Sequence, residues 1–136
     1  MKRLALLALS SILLALPAAA QTAKQRVIFQ VSDNDPAKWR LALNNAHNVQ
    51  EDLGKANVQI EIVAYGPGLA MLKSESKVAG GLAQALDDNV GLIACENTMT
   101  NTKVTRSEMY SGISYVTAGV THLMKRQREG WAYIRP

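Results

Sequence analysis

Short apolar runs alternate with helical stretches along most of this chain, and that alternation limits the fold more than any other feature. Apolar runs rich in β-branched residues are typical of strands that are buried on both faces of a sheet. Strands separated by helices favour βαβ crossovers and therefore a parallel sheet. The sequence thus predicts an α/β fold, with a mostly parallel sheet covered by helices on both faces.

Five strands are predicted, at residues 26–32, 58–66, 89–97, 113–120 and 131–135. The first helix is predicted to begin after Asp35, a capping residue, with Pro36 at its first position, and to end at Gly54. Further helices are expected at 69–73, at 78–88 and from the fourth strand to about residue 129. Residues 98–107 are predicted as a loop with a helical turn.

The first twenty residues have the pattern of a secretory signal peptide. Lys2 and Arg3 precede an unbroken apolar stretch that closes on three alanines, 18–20. The alternative is an uncleaved anchor helix, but Pro17 interrupts a run that is already short for a membrane span. We therefore expect residues 1–20 to be removed, residues 21–136 to form a single domain, and the product to be periplasmic or secreted without stable membrane insertion.

The charge of the chain argues against a nucleic-acid partner. The 15 Lys and Arg residues and 11 Asp and Glu residues give a net charge of +4. Without Lys2 and Arg3, the expected mature chain has 13 basic and 11 acidic residues, a net charge of +2. The remaining basic residues form no stripe with interleaved aromatic residues, which is the usual signature of nucleic-acid binding.

Cys95 is the only cysteine, so an intramolecular disulfide is excluded. In an oxidising compartment it must be buried and inert, bonded to another chain, or kept free for use. Cys95 is predicted near the carboxyl end of the third strand, and ligands of open α/β sheets bind outside those ends. The turn at 66–68 and the segment 32–35 are expected at the same edge, so that three strand-end loops could converge on one rim of the sheet.

Four other residues are candidates for ligand binding. Gly66 and Gly68 shape a turn whose amides could also hold an anion. Asn97 and Thr98 could cap the next turn or orient a ligand above Cys95. The turn lacks both a dinucleotide fingerprint and a phosphate loop, so no cofactor is expected. His47 and His122 lie on separate predicted helices without other ligands at metal spacing, so no metal site is expected. Both histidines are expected to be solvated or to lie at an interface.

Four segments, in order, resemble the small single-domain branch of the DsrE/DsrF-like proteins. They are VSDNDPAKWRLALNNAHNV (31–49), VAYGPGLAMLK (63–73), ACENTM (94–99) and VTAGVTHLMKRQREGWAYIRP (116–136). The resemblance implies a three-layer α/β/α sandwich around a largely parallel five-stranded sheet. It also implies homo-oligomers, and relatives that carry sulfane sulfur as a persulfide on a strand-end cysteine, the position of Cys95. Relatives often have His where this chain has Tyr65, and the sulfur relays are cytoplasmic.

Two functions are therefore expected. The first is an exported protein that binds or relays sulfane sulfur on Cys95, with the backbone amides around Asn97 and Thr98 stabilising the thiolate, and with a sulfur donor or acceptor protein as partner. The second is a non-catalytic oligomeric module that binds a small anion or a partner protein, in which Cys95 is structural. Free cysteines are often buried as small hydrophobic residues, which keeps the second hypothesis open.

Overall fold

The computed structural model describes residues 23–136, and its centre is a five-stranded sheet in which every pair of neighbouring strands is parallel. The strand order across the sheet is β4-β3-β2-β1-β5. The predicted fold is confirmed, and the sheet is wholly parallel. The predicted signal peptide lies outside the described residues. The strands are β1 (Gln25–Val31), β2 (Val58–Ala64), β3 (Gly91–Cys95), β4 (Ser114–Val116) and β5 (Ala132–Ile134).

Four α-helices connect the strands, with three short 3-10 helices. The 3-10 helices span Lys55–Asn57, Gly66–Leu72 and Arg106–Glu108. None of the helices within residues 23–136 has the length and apolar character needed to cross a membrane. The α-helices are α1 (Pro36–Leu53), α2 (Ala79–Asp87), α3 (Glu96–Asn101) and α4 (Gly119–Arg128).

Helix α1 begins and ends where the sequence predicts. The Asp35 carboxylate accepts a hydrogen bond of 2.8 Å from the amide of Ala37, and Pro36 occupies the first helical position. Gly54 ends the helix with φ at +85°, a conformation that glycine adopts at low cost. The buried stripe of α1 includes Trp39, Ala42 and Ala46, as the three- and four-residue spacing indicates.

The two faces of the sheet carry cores of different size. The larger core is covered by α1, α2, α3 and the 3-10 helix Gly66–Leu72, and it contains Phe29, Ile62 and Leu92 from the central strands. On the other face, Ile28, Val63 and Ile93 pack with Leu123 of α4 and with Trp131. Helix α4 is the one described helix on the smaller side, so few buried residues hold this helix layer against the sheet.

The helices that follow β3 and β4 leave the sheet on opposite faces. Met99 of α3 belongs to the larger core, whereas Leu123 of α4 belongs to the smaller one. Because β3 and β4 are neighbours, a crevice is expected between their carboxyl ends, and this is where open α/β sheets bind ligands. Cys95, the last residue of β3, lies at this switch point.

Element boundaries near this edge differ from the prediction. Helix α3 begins at Glu96, directly after β3, in place of the predicted loop after residue 97. The turn at Gly66 is the first residue of a 3-10 helix that continues to Leu72 and takes in most of the predicted helix 69–73. β4 ends at Val116, so the strand predicted at 113–120 was too long. In each case a helix begins within three residues of the strand end, so no long break in the sequence marks the boundary.

Candidate functional site around Cys95

Cys95 ends β3 and precedes the first residue of α3. Its side chain is buried, with 5% of the residue exposed. The thiol lies 3.8 Å from the backbone carbonyl of Thr117, within reach of a weak S–H hydrogen bond. The residue therefore lies between the end of β3 and the segment that joins β4 to α4. Predicted as a strand-end thiol, Cys95 is found at that position.

Two opposing effects set the acidity of this thiol. Burial raises the pKa of Cys95, because the protein interior disfavours the thiolate. Hydrogen bonds from the Thr98 hydroxyl and from backbone amides stabilise the thiolate and outweigh burial, so the pKa lies below that of an ordinary cysteine. Those amides belong to Gly119, Thr98 and Asn97. The site therefore favours the nucleophilic form of sulfur although it is largely closed to water.

Asn97 and Thr98 lie in the first turn of α3. The amide of Asn97 donates a 3.0 Å hydrogen bond to the carbonyl of Thr117 and also faces the sulfur. The hydroxyl of Thr98 accepts a 2.9 Å hydrogen bond from the amide of Gly66. Both residues therefore act on Cys95 through backbone or hydroxyl groups, at the positions that the sequence singled out.

Gly66 and Gly68 shape the neighbouring loop, and their amides are engaged within the protein. The amide of Gly66 binds Thr98, and that of Gly68 donates a 3.1 Å hydrogen bond to the carbonyl of Tyr65. A Cβ atom at Gly68 would lie 2.3 Å from the carbonyl oxygen of Val31, so only glycine fits against the end of β1. These contacts give the two glycines a geometric role, and they offer no support for anion binding by their amides.

The three strand-end loops do converge. The Gly66–Leu72 segment contacts the end of β1 through Gly68 and the start of α3 through the bond between Gly66 and Thr98. The loop after β4 contacts Cys95 through Thr117. The ends of β1, β2, β3 and β4 thus lie at one edge of the sheet, and Cys95 itself contacts the segment after β4.

Gly119 is a site residue that the sequence analysis missed. It is the first residue of α4, and its amide is one of the groups whose hydrogen bonding lowers the pKa of Cys95. A Cβ atom here would lie 3.2 Å from Val63 and from the Tyr65 ring, so the helix start lies very close to the sheet. The available signal was a glycine three positions after the end of β4, at a place where the chain approaches another backbone or side chain closely.

Tyr65 occupies the position next to Cys95 on the neighbouring strand. Ala64 is paired with Ala94, so the two following residues lie side by side on the face covered by α4. Burial, and secondarily Tyr133, raises the pKa of Tyr65 above that of an ordinary tyrosine, although a hydrogen bond with Ser32 partly opposes them. The phenol is therefore neutral at physiological pH and lies toward the end of β1.

Glu96 lies beside the thiol in sequence, but its carboxylate is held elsewhere. It accepts a 3.1 Å hydrogen bond from Arg106, which lies over the Tyr115 ring at 4.1 Å. On a strand, Glu96 would have pointed away from Cys95; in the structure it is the first residue of α3 and is paired instead. The Arg106 side chain is largely exposed.

Some of the remaining polar residues lie where they were expected, and others do not. Asp35 caps α1, but Asp33 binds Lys38 at 2.8 Å and does not cap the helix. His47 is exposed, as expected, whereas His122 is largely buried against Glu61 and is not a solvated residue. Within residues 23–136, no three or more His, Cys, Asp and Glu side chains are grouped so as to hold a metal ion.

Comparison with solved structures finds proteins that are similar to this chain. MTH1491 from Methanobacterium thermoautotrophicum, a protein of unknown function, is 34% identical with a TM-score of 0.79, and the match covers 83% of this chain and all of that one. The chain belongs to the MTH1491 family. No protein-family model matches the sequence, and no curated protein does.

More distant structures share the fold of the MTH1491 family. The ychN protein from E. coli is 12% identical with a TM-score of 0.67, and the match covers 83% of this chain and 99% of that one. BT1422 from Bacteroides thetaiotaomicron, a conserved protein of unknown function, is 15% identical with a TM-score of 0.62, and the match covers 82% and 95% of the two chains. At these identities the likeness concerns the fold alone.

Proposed function

We propose that this protein binds or relays sulfane sulfur as a persulfide on Cys95, as an exported DsrE/DsrF-like protein. The observation that carries the proposal is the position of the only cysteine, at the end of β3 and at the switch point of the sheet, with its sulfur 3.8 Å from the Thr117 carbonyl of the segment before α4. Hydrogen bonding from the Thr98 hydroxyl and neighbouring amides lowers the pKa of this thiol despite its burial. A lowered pKa increases the fraction of thiolate at neutral pH, and the thiolate is the form that exchanges sulfur. The sequence resemblance supplies the sulfur chemistry.

The transfer step is a thiol–persulfide exchange. The Cys95 thiolate attacks the terminal sulfur of a donor R–S–SH, forming a bond between Sγ and that sulfur as the S–S bond within the donor breaks. The thiolate R–S⁻ leaves with the electron pair, and the proton stays on the transferred sulfur. An acceptor thiolate reverses the sequence by attacking the outer sulfur and releasing Cys95 as thiolate. Neither step requires an external oxidant or reductant.

The burial of Cys95 limits which donors can act. With 5% of the residue exposed, Sγ cannot meet a folded donor protein without movement of the surrounding loops. Small inorganic polysulfides need much less access. We therefore propose small polysulfides or persulfides as the direct donors, in an oxidising compartment reached through the signal peptide predicted at residues 1–20. The neutral Tyr65 phenol takes the place where relatives often have His, so it supplies a hydrogen-bonding group but no base at neutral pH.

The second candidate function is a non-catalytic oligomeric binding module, and the same burial of Cys95 favours it. A cysteine that packs as a small hydrophobic residue need not be reachable. Two exposed apolar residues one turn apart on α4, Val120 and Met124, are 54% and 52% exposed. We propose this helix face as the contact between copies of the chain, since a self-contact would cover both side chains. The sulfur-carrier proposal and this assembly are compatible.

The experiment that separates the two functions is cyanolysis of the folded protein after incubation with inorganic polysulfide. Cyanide removes sulfane sulfur from a persulfide and yields thiocyanate, which is measured directly. We expect one equivalent of thiocyanate per chain and none from the Cys95→Ser variant. A folded wild-type protein that yields no thiocyanate, or a variant that yields as much as the wild type, would overturn the carrier function and leave the binding module.

A further inference from the structure

Glu61 is a buried carboxylate in an otherwise apolar part of the sheet. It lies in the middle of β2 and is 6% exposed. Its partners are two residues one turn apart on α4. Arg126 donates to both carboxylate oxygens, at 3.0 Å and 2.6 Å, and His122 Nε2 lies 2.7 Å from Oε2. A buried carboxylate with this number of partners is costly to leave unpaired, so the contact holds α4 strongly.

The sheet has space for this side chain because Gly91 faces it. Gly91 is paired with Glu61 across β2 and β3, and a Cβ atom at this glycine would lie 3.3 Å from Glu61 Cγ. A larger residue would press on the carboxylate stem. The glycine therefore leaves the Glu61 side chain free to reach α4.

Helix α4 has little else to fix it on the sheet. Its inward stripe consists of Gly119, His122, Leu123 and Arg126, of which Leu123 is the one large apolar member. The Arg126 guanidinium also lies over the Trp131 ring, at 4.7 Å. A helix with one apolar anchor slides and rotates easily, so the polar contacts with Glu61 decide its position.

The start of the same helix is part of the thiol site. The Thr117 carbonyl, two residues before α4, lies 3.8 Å from Cys95 Sγ. Gly119 begins α4 one turn before His122, and a Cβ atom at Gly119 would lie 3.2 Å from Tyr65 and Val63. The Gly119 amide is also one of the groups that lower the pKa of Cys95. We propose that Glu61 is a positioning residue for Cys95: by binding His122 and Arg126, it fixes α4 so that the Gly119 amide faces the sulfur. This inference concerns the thiolate on which the proposed function rests, and it holds whether or not that thiolate carries sulfur.

Two ionisable groups near the thiol, Tyr65 and Glu96, are not bound to Glu61. Tyr65 on β2 has its phenol near Ser32, and Glu96 on α3 is paired with Arg106. On α4, the ionisable residues nearest its start are His122 and Lys125, and Lys125 is exposed. Among these groups, His122 is the one bound to Glu61. Removing the negative charge of Glu61 favours the thiolate electrostatically, so a rise in the pKa of Cys95 in Glu61→Gln is attributable to the helix position.

The test is the rate of Cys95 alkylation by iodoacetamide as a function of pH, in the wild type and in Glu61→Gln. We expect the midpoint of the profile to rise in the variant. A rise of about one unit leaves roughly a tenth of the thiolate at pH 7. The more basic thiolate is more nucleophilic, so the net rate falls about threefold. A matched control is Glu129→Gln, which removes the exposed partner of Arg126, at 2.8 Å, and is expected to leave the midpoint unchanged.

A purely structural role gives a different result. If Glu61→Gln only loosens the fold, the buried thiol becomes more accessible, so alkylation accelerates at high pH without a change in midpoint. A folded Glu61→Gln protein with the wild-type midpoint overturns the proposal. Should that variant not fold, Arg126→Lys and His122→Gln take its place. Each of these variants is expected to raise the midpoint by less than Glu61→Gln would. If both have the wild-type midpoint, the proposal is overturned.

The outcome is independent of sulfur loading. A raised midpoint together with absent thiocyanate in the cyanolysis experiment supports the positioning role and rejects the carrier function. An unchanged midpoint together with a normal yield of thiocyanate rejects the positioning role and supports the carrier function.

Discussion

The amide of Gly66 donates a 2.9 Å hydrogen bond to Thr98 Oγ1, which joins the end of β2 to the first turn after Cys95. A hydroxyl accepts with its oxygen and donates with its hydrogen, so this bond leaves the Thr98 proton available to the neighbouring sulfur. That second contact is one of the causes of the lowered pKa of Cys95. The turn at Gly66 therefore acts on the thiol through a single side chain.

Thr98→Val tests this contact, because valine keeps the shape of the side chain and removes its hydroxyl. We expect the midpoint of the pH profile for Cys95 alkylation to rise, since the thiolate loses a donor. The Gly66 amide also loses its partner, which is expected to cost about 1 kcal/mol in the free energy of unfolding. Thr100→Val is the control, because Thr100 is exposed on the same short helix. Equal midpoints in the two variants would contradict the assignment.

The acidity of Cys95 also predicts how stability depends on pH. Because the pKa is lower in the folded protein than the ordinary value of about 8.5, the unfolded chain binds more protons between the two values. Stability from the thiolate is therefore absent below the folded-state pKa, rises with pH through this window and is complete above about 8.5.

The measurement is the free energy of unfolding of the wild type and of Cys95→Ser, in reductant, from neutral pH to about 9. We expect the free energy of unfolding of the wild type to rise relative to that of the variant as the pH rises. Tyr65, whose pKa is raised, contributes equally to both proteins and cancels in the difference. A difference that is constant with pH, or that shrinks, would show that the folded protein does not stabilise the thiolate.

Gly68→Ala is expected to destabilise the protein by several kcal/mol, because the added Cβ would lie 2.3 Å from the Val31 carbonyl oxygen and backbone has to move. Gly80→Ala is the matched control on α2. A Cβ there meets no atom within 4 Å, so helix propensity predicts a gain of about 0.5–1 kcal/mol. Urea unfolding midpoints measure both changes. Similar midpoints in the two variants would disprove the close approach at Gly68.

Met124→Glu tests the proposed contact between copies of the chain. A charge in a buried self-contact is costly, so we expect the variant to have a lower mass in light scattering than the wild type. Leu41→Glu is the control, because Leu41 is a similarly exposed apolar residue, 46% exposed, on α1 at the opposite face. A wild-type protein that is monomeric, or an equal effect of both changes, would exclude α4 as the contact.

The fold and the position of Cys95 could be predicted because strands and helices leave strong periodic signals. Apolar runs identified all five strands, and the capping residue Asp35 with Gly54 identified α1. The loops near Cys95 were harder. Helix α3 follows β3 without a linking loop, so no break in the sequence marks its start at Glu96.

The contacts that tune the thiol depend on distances between segments far apart in the chain. Glu61 and His122 are separated by 61 positions, and no local pattern reveals that they pair. A lone glutamate in the apolar run VQIEIVA was the available signal, because a carboxylate buried in a sheet requires a partner. His122, expected to be solvated or at an interface, supplies that partner.

The most direct test of sulfur carriage is the intact mass of the purified protein before and after exposure to polysulfide. The account predicts a gain of one or more sulfur atoms, reversed by reductant and absent in Cys95→Ser. Circular dichroism is used to check that the variant retains its fold. A folded wild-type protein whose mass does not change would contradict the account and show Cys95 to be a packing residue.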